Sequence, residues 1–124
     1  MILADTSVWI DYLRKTDALL ASLLNTVQIV IHPFIIGELA CGNLKNREVL
    51  LSLLKRLPAV SQATNEEVMY FIEHNRLMGH GVGFIDAHLL TAVALSRQTL
   101  LWTRDKRLAV LAEQLGLSFQ EKAQ

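Results

Sequence analysis

Four carboxylates in this 124-residue sequence stand where an acid needs a reason. Asp5 and Asp105 each follow a short apolar run, Ile2 to Ala4 and Thr99 to Trp102, with hydroxyls beside them: Thr6 and Ser7 next to the first, Thr103 next to the second. Glu38 and Asp86 are lone charges inside otherwise apolar helical patterns, Phe34 to Gly42 and Phe84 to Leu95. An ionised carboxylate in such a run is costly unless it is paired, coordinated or turned into a wet cleft. No lysine or arginine lies one helical turn before either residue. Acids that converge on one pocket repel and raise one another's pKa, so such a group is stable mainly around a divalent cation. A donor set of oxygens, without a Cys or His cluster, favours magnesium or manganese over zinc. The histidines at 32, 74, 80 and 88 show no zinc-type spacing and are expected to be structural or exposed. Asp is also a favoured helix cap, so capping competes with metal binding as the role of Asp5 and Asp105. The other acids have ordinary places: Glu66 and Glu67 at a helix start, Glu73 and Glu113 on polar faces, Glu121 in the tail.

The elements that must position these groups alternate in type. Ile2 to Ala4 has strand length and is followed at once by a helical pattern through Val8, Trp9, Tyr12 and Leu13. Asp17 can cap a second helix with a Leu19, Leu20, Leu23, Leu24 stripe, and Val27 to Ile31 then forms a β-branched strand stopped before Pro33. Pro33 suits the first position of a helix through Glu38, because that position's amide has no helical partner to lose. A further helix runs from Asn46 or Arg47 to Pro58, and Ala59 to Ser61 is at most a short strand. Thr64 and Glu67 make a capping box for a helix reaching Leu77. Beyond a glycine-rich break at Gly79, Gly81 and Gly83, the run from Phe84 to Leu95 is apolar nearly all round and predicts a central buried helix. Thr99 to Trp102 is a strand, Asp105 to Leu115 a helix closed by Gly116, and Ser118 to Gln120 a final edge strand. Strands separated by helices need crossover connections, which predicts an α/β fold: a three-layer α/β/α sandwich with a central, mainly parallel sheet. In such sheets ligands bind at the carboxyl ends of the strands, where Asp5 and Asp105 fall.

Size and composition agree. A chain of 124 residues that is 52% hydrophobic makes one domain, residues 1–124, with a sizeable core. Twelve basic and twelve acidic side chains cancel, so any polyanion must be met by a local patch. The one cysteine, Cys41, can form no intrachain disulfide, which suits a reducing, cytoplasmic setting. The longest apolar run is broken by Asp86 and His88, and no membrane segment is expected.

The segments Asp5-Thr-Ser-Val-Trp-Ile-Asp-Tyr-Leu, Glu38-Leu, Asp86-Ala-His-Leu-Leu-Thr-Ala-Val-Ala and Leu-Trp-Thr103-Arg-Asp105-Lys-Arg-Leu, in that order, resemble a PIN domain. More closely they resemble the VapC-type ribonuclease toxins of toxin–antitoxin pairs. The resemblance runs from Ile2 to about Phe119. It implies a magnesium- or manganese-dependent endoribonuclease acting on RNA, with Asp5, Glu38, Asp86 and Asp105 as metal-site acids and Thr6, Ser7 and Thr103 as supporting hydroxyls. Asp105 is the position where the family varies. Water activated by the ion would cut the phosphodiester to leave a 5′-phosphate and a 3′-hydroxyl. Arg14, Lys15, Lys45, Arg47, Arg104, Lys106 and Arg107 flank these segments and are candidate contacts to RNA phosphates, a solvated surface being the alternative for each. A cognate antitoxin with a disordered tail and a homodimer are implied partners, with the helices over Asp17 to Asn25 and Asn46 to Leu57 as candidate dimer surfaces.

Two other readings fit parts of the pattern. A phosphoacceptor receiver domain shares the length and sheet class but needs a central aspartate, and none stands between Asp17 and Asp86. A non-catalytic PIN-like module that binds RNA or protein would keep the fold and lose turnover; the presence of all four acids weighs against it.

Overall fold

The computed structural model describes residues 1–121 and has three parallel strands at its centre. Strand β1 (Ile2–Ala4) lies between β2 (Ile29–Val30) and β3 (Leu100–Trp102), with Leu3 opposite Val30 on one side and Leu101 on the other. Single parallel bridges, Ile31 to Ala59 and Leu101 to Ser118, extend the sheet by one contact at each edge. Seven helices connect and cover it: α1 (Thr6–Arg14), α2 (Ala18–Asn25), α3 (Pro33–Ala40), α4 (Arg47–Arg56), α5 (Asn65–Asn75), α6 (Phe84–Leu95) and α7 (Lys106–Gln114). This is the parallel α/β sandwich that the alternation of elements requires.

The strands are buried on both faces, so they read as continuous apolar runs; Leu3, Leu101 and Trp102 are at or near zero exposure. Helix α6 buries seven consecutive residues, Ala87 to Val93, and is the central helix that its uniform apolarity predicts. The Thr64–Glu67 capping box is formed in both directions. At the end of α7, Gly116 takes φ +73° while Leu117 N donates to Ala112 O and Gly116 N to Glu113 O, which closes the helix with a left-handed turn.

The edges differ from the sequence expectation. The β-branched run from Val27 yields ladder pairing only at Ile29 and Val30, because Val27 turns into the left-handed region at φ 56° and is two-thirds exposed. Ser118 to Gln120 likewise forms one bridge rather than a strand. Residues 122–124 lie outside the described chain.

Helix α3, which carries Glu38, is held at its start by an imidazole. His32 is buried and its Nδ1 accepts from Phe34 N at 3.0 Å, so the ring proton must sit on Nε2, which has no hydrogen-bond partner among the described residues. Burial, and secondarily the nearby His88, push the His32 pKa down from 6.5 to about 4. The unfolded chain therefore takes up a proton near pH 6.5 that the folded chain refuses until about pH 4. The stability this contributes is complete above pH 6.5 and is lost as pH falls toward 4. Replacing His32 by Asn keeps a capping acceptor but removes the titration and some packing. We expect the variant to be less stable at pH 7 yet to lose less on acidification. Urea midpoints between pH 7 and 4 test this, and an equally steep decline in both proteins would contradict it.

Candidate active site

Parallel strands all finish on one side of the sheet, and the acids gather there. Asp5 ends β1, and its backbone N donates to Trp102 O at 2.9 Å, so the segments leaving β1 and β3 start as neighbours. Asp5 is buried and caps α1: one carboxylate oxygen accepts from Ser7 N at 3.0 Å, from Ser7 Oγ and, more weakly, from Val8 N at 3.4 Å. Burial raises its pKa, and hydrogen bonds from Ser7, Thr103 and Val8 only partly offset that. Ser7 Oγ in turn accepts from Arg104 N at 3.0 Å, giving a relay of donors that runs from the chain after β3 to the Asp5 carboxylate.

Glu38 comes from α3 and is exposed; its carboxylate accepts from Thr6 Oγ1 at 2.6 Å, which ties α3 to the start of α1. Asp86 sits in the first turn of α6 and accepts from Gly83 N at 3.2 Å. Its pKa is raised first by burial, against the Gly83 bond, and further by the charges of Asp105 and Glu38. Asp105 caps α7 by accepting from Leu108 N at 3.1 Å, while its own N donates to Thr103 Oγ1. Capping and proximity to another acid thus coincide at Asp105, where the sequence sets them against each other, and Asp5 caps α1 at the same edge of the sheet. A residue that ends a strand and starts a helix points its side chain at the first amides of that helix and toward the carboxyl edge of the sheet at once.

Asp5, Asp86 and Asp105 are turned toward donors at the starts of their own helices, and Glu38 toward Thr6 at the start of α1. Among the described residues no three His, Cys, Asp or Glu side chains close on one point tightly enough to hold an ion by themselves. The donor chemistry nevertheless fits a hard cation: acceptor-only oxygens, two of them on partly or wholly buried carboxylates with raised pKa, and hydroxyls beside them. Magnesium commonly takes one or two carboxylates and keeps several waters, so it does not need a closed cage of protein ligands.

The seven basic side chains separate. The Arg104 guanidinium is engaged by Asp11 at 2.8 Å, by Asp17 and by Glu121 at 2.6 Å, and lies 5.3 Å from the Trp102 ring centre. The Glu121 hydrogen bond foremost, against some burial, holds Arg104 charged more firmly than an ordinary arginine. Arg104 therefore ties the C-terminal segment and the α1–α2 region to the end of β3 instead of standing open to a phosphate. Arg47 donates to Ala40 O at 2.8 Å. Arg14 and Lys45 border a groove of about 550 Å3 whose apolar wall includes Ile10, Leu13 and Leu50, with Glu38 at its margin. Lys15, Lys106 and Arg107 are exposed. The sequence reading missed the groove and the acids Asp11 and Asp17 that capture Arg104; these pairings span 93 and 87 residues, and nothing local signals them.

Residues 2–114 match the family model described as PIN domain. The chain is also 45% identical over 122 residues, which is 98% of both sequences, to Ribonuclease VapC32 of Mycobacterium tuberculosis, in strain CDC 1551 / Oshkosh and in strain ATCC 25618 / H37Rv.

The raised carboxyls set a stability test. A carboxyl whose folded pKa exceeds 3.8 gives the fold an advantage that is complete below 3.8 and lost as pH rises through the folded value, so at pH 7 its charge burdens the metal-free protein. Asn keeps the shape and a capping acceptor without the charge. In EDTA at pH 7, Asp5→Asn and Asp86→Asn should melt at the same or a higher temperature than the unsubstituted protein, with the gap closing toward pH 4. A loss of about 1 kcal/mol, the usual cost of losing a cap, would contradict this.

Proposed function

The chain belongs to the PIN-domain family, and from that premise we propose that its acidic cleft is the active site of a metal-dependent endoribonuclease, the toxin of a type II toxin–antitoxin pair. The observation that supports this reading is that Asp86, Asp105 and Glu38, from three helices at the carboxyl edge of a parallel sheet, are close enough for the latter two to raise the pKa of Asp86, while Asp5 adjoins Thr6, which holds Glu38. The similarity to Ribonuclease VapC32 along 98% of both sequences supports RNA as the substrate and an antitoxin as the partner.

In this proposal Asp5 and Asp86 hold magnesium or manganese, with Glu38 and Asp105 assisting directly or through water. The bound ion supplies an acidified water and neutralises charge gathering on the phosphoryl oxygens. The chain's own groups fix the geometry. Ser7, itself held by Arg104 N, orients the Asp5 carboxylate, and Thr6 fixes Glu38. Water attacks phosphorus in line with the departing 3′ oxygen; the P–O3′ bond breaks, leaving a 5′-phosphate and a 3′-hydroxyl. A route through the RNA 2′-hydroxyl with two histidines has little support, because the neighbouring pair is committed elsewhere. His32 caps α3, and His88, also buried, is bonded to Asn65.

The antitoxin is proposed to lie in the groove between Ile10, Leu13 and Leu50, where an apolar segment covers the wall and an arginine meets Glu38 in place of the cation. A homodimer is also part of the proposal. Of the two helices considered for it, α2 buries Leu20 and Leu23 in the core, whereas α4 leaves Val49 and Leu53, one turn apart, exposed. Cytoplasmic action is proposed as well; no helix among the described residues is long and apolar enough to cross a membrane.

Cleavage of single-stranded RNA by the purified protein, with magnesium or manganese and with EDTA, tests the function. Activity should require the metal and fall to the EDTA background in Asp5→Asn and Asp86→Asn, while Asp105→Asn should lose about tenfold, as for a supporting metal-site group. Asp5 and Asp86 variants that cut at near the original rate would overturn the assignment. A protein that binds RNA and never cuts it would instead be a non-catalytic module.

A further inference from the structure

Phe34 and Phe84 are 37% and 47% exposed, yet each ring packs against a buried imidazole. Phe84 lies 4.8 Å from His88 between ring centres and almost perpendicular to it, and Phe34 lies 4.9 Å from the same imidazole and 4.9 Å from His32. Both histidines are buried, and His88 Nε2 is 3.0 Å from Asn65 Oδ1. Two exposed phenyls are thus braced by one buried imidazole.

Their position ties them to the acids. Phe34 precedes Glu38 by one turn of α3, which puts their Cβ atoms about 5–6 Å apart on one helix face. Phe84 opens α6 and is brought beside Phe34 by the His88 ring that both contact, although two residues of spacing put it on a different face of α6 from Asp86. A cation lies at the loop that leads into Phe84. Arg107, two residues after Asp105, lays its side chain across Gly81 in the loop before α6. A Cβ on Gly81 would stand 2.7 Å from Arg107 Cδ and 2.8 Å from Nη1, and Gly81 has φ +76°. Unlike Arg104, Arg107 forms no ion pair among the described residues.

Rings held rigid without being covered suit flat ligands. We propose that Phe34, Phe84 and Arg107 form a nucleotide subsite beside the acidic cleft, in which unpaired RNA bases stack on the two phenyls and a backbone phosphate meets Arg107. This rests on the nuclease reading, which puts an RNA phosphate among the neighbouring acids. A protein interface core is depleted in charge, whereas here the rings have a carboxylate one helical turn away on α3 and an arginine across the loop that leads into α6, a mixture of aromatic and charged groups that a strand of bases and phosphates would match. Stacking needs an open base face, so the subsite selects unpaired RNA over duplex and discriminates weakly among bases.

Binding of a short labelled, unstructured oligoribonucleotide to the Asp5→Asn protein tests the subsite apart from turnover. Phe34→Leu and Phe84→Leu should each weaken binding about fivefold or more, and Phe→Tyr at either position should preserve it. An abasic probe should bind the aromatic protein more weakly and be indifferent to the Leu substitutions. Arg107→Gln should reduce the salt slope of log affinity by about 0.7, one phosphate's share for a single strand. Leu variants that bind like their parent would overturn the proposal. So would Leu variants that turn a sedimenting dimer into a monomer without changing RNA affinity, since the rings would then serve a second copy of the chain. Should the Leu variants not fold, the abasic probe and Arg107→Gln decide on intact rings. If the unsubstituted protein cuts RNA while the rings prove indifferent, the subsite alone fails; if the rings bind RNA that is never cut, the nuclease reading alone fails.

Discussion

Burial of carboxylates at the carboxyl edge of a parallel sheet is the constraint on which the rest of the structure depends, and at Asp86 the charges of Asp105 and Glu38 add to it. Asp5 is buried and Asp86 partly so, both with raised pKa, and Asp86 feels Glu38 and Asp105 as well. Among the described residues these acids are compensated by amides at the starts of α1, α6 and α7 and by the hydroxyls of Ser7, Thr6 and Thr103. A divalent cation changes the sign of the problem, because charges that oppose one another become ligands of a common centre. In the proposed nuclease the same helix starts that cap the chain would also poise a cation site.

What keeps the acids in register is the packing behind them. β1 is the middle strand, and Leu3 is fully buried between Val30 and Leu101, so the direction in which Asp5 leaves the sheet is fixed by the core. Arg104 adds a second constraint at the end of β3. Its amide holds Ser7, while its guanidinium gathers Asp11, Asp17 and Glu121. Individual ion pairs this open to solvent are worth about 0–1 kcal/mol each, so the cage matters more for fixing three chain segments than for overall stability.

The sequence made the strands and most helices legible because their signals are local: an apolar run before Asp5, the Thr64–Glu67 box, Pro33, Gly116. The four acids were legible for the same reason, each being an exception to the pattern around it. Four things were not. Arg104 reads as a phosphate contact until Asp11 and Asp17 arrive from about 90 positions away. Val27 reads as strand, yet the end of α2 forces it into a left-handed turn. His32 gives no sign in the sequence that its imidazole, not a hydroxyl or carboxylate, caps α3. Lastly, capping and a cleft position read as rivals for Asp5 in the sequence, whereas a capping carboxylate at the end of β1 leaves both open.

The most direct test of the account is the melting temperature of the protein titrated with manganese at pH 7, side by side with Asp5→Asn and Asp86→Asn. A ligand that binds only the folded state adds about 2.7 kcal/mol at a hundred times its dissociation constant. The account predicts a rise in melting temperature that saturates for the unsubstituted chain and is absent or strongly weakened in both variants. Indifference of the unsubstituted chain to millimolar manganese, or an equal rise in all three proteins, would contradict it.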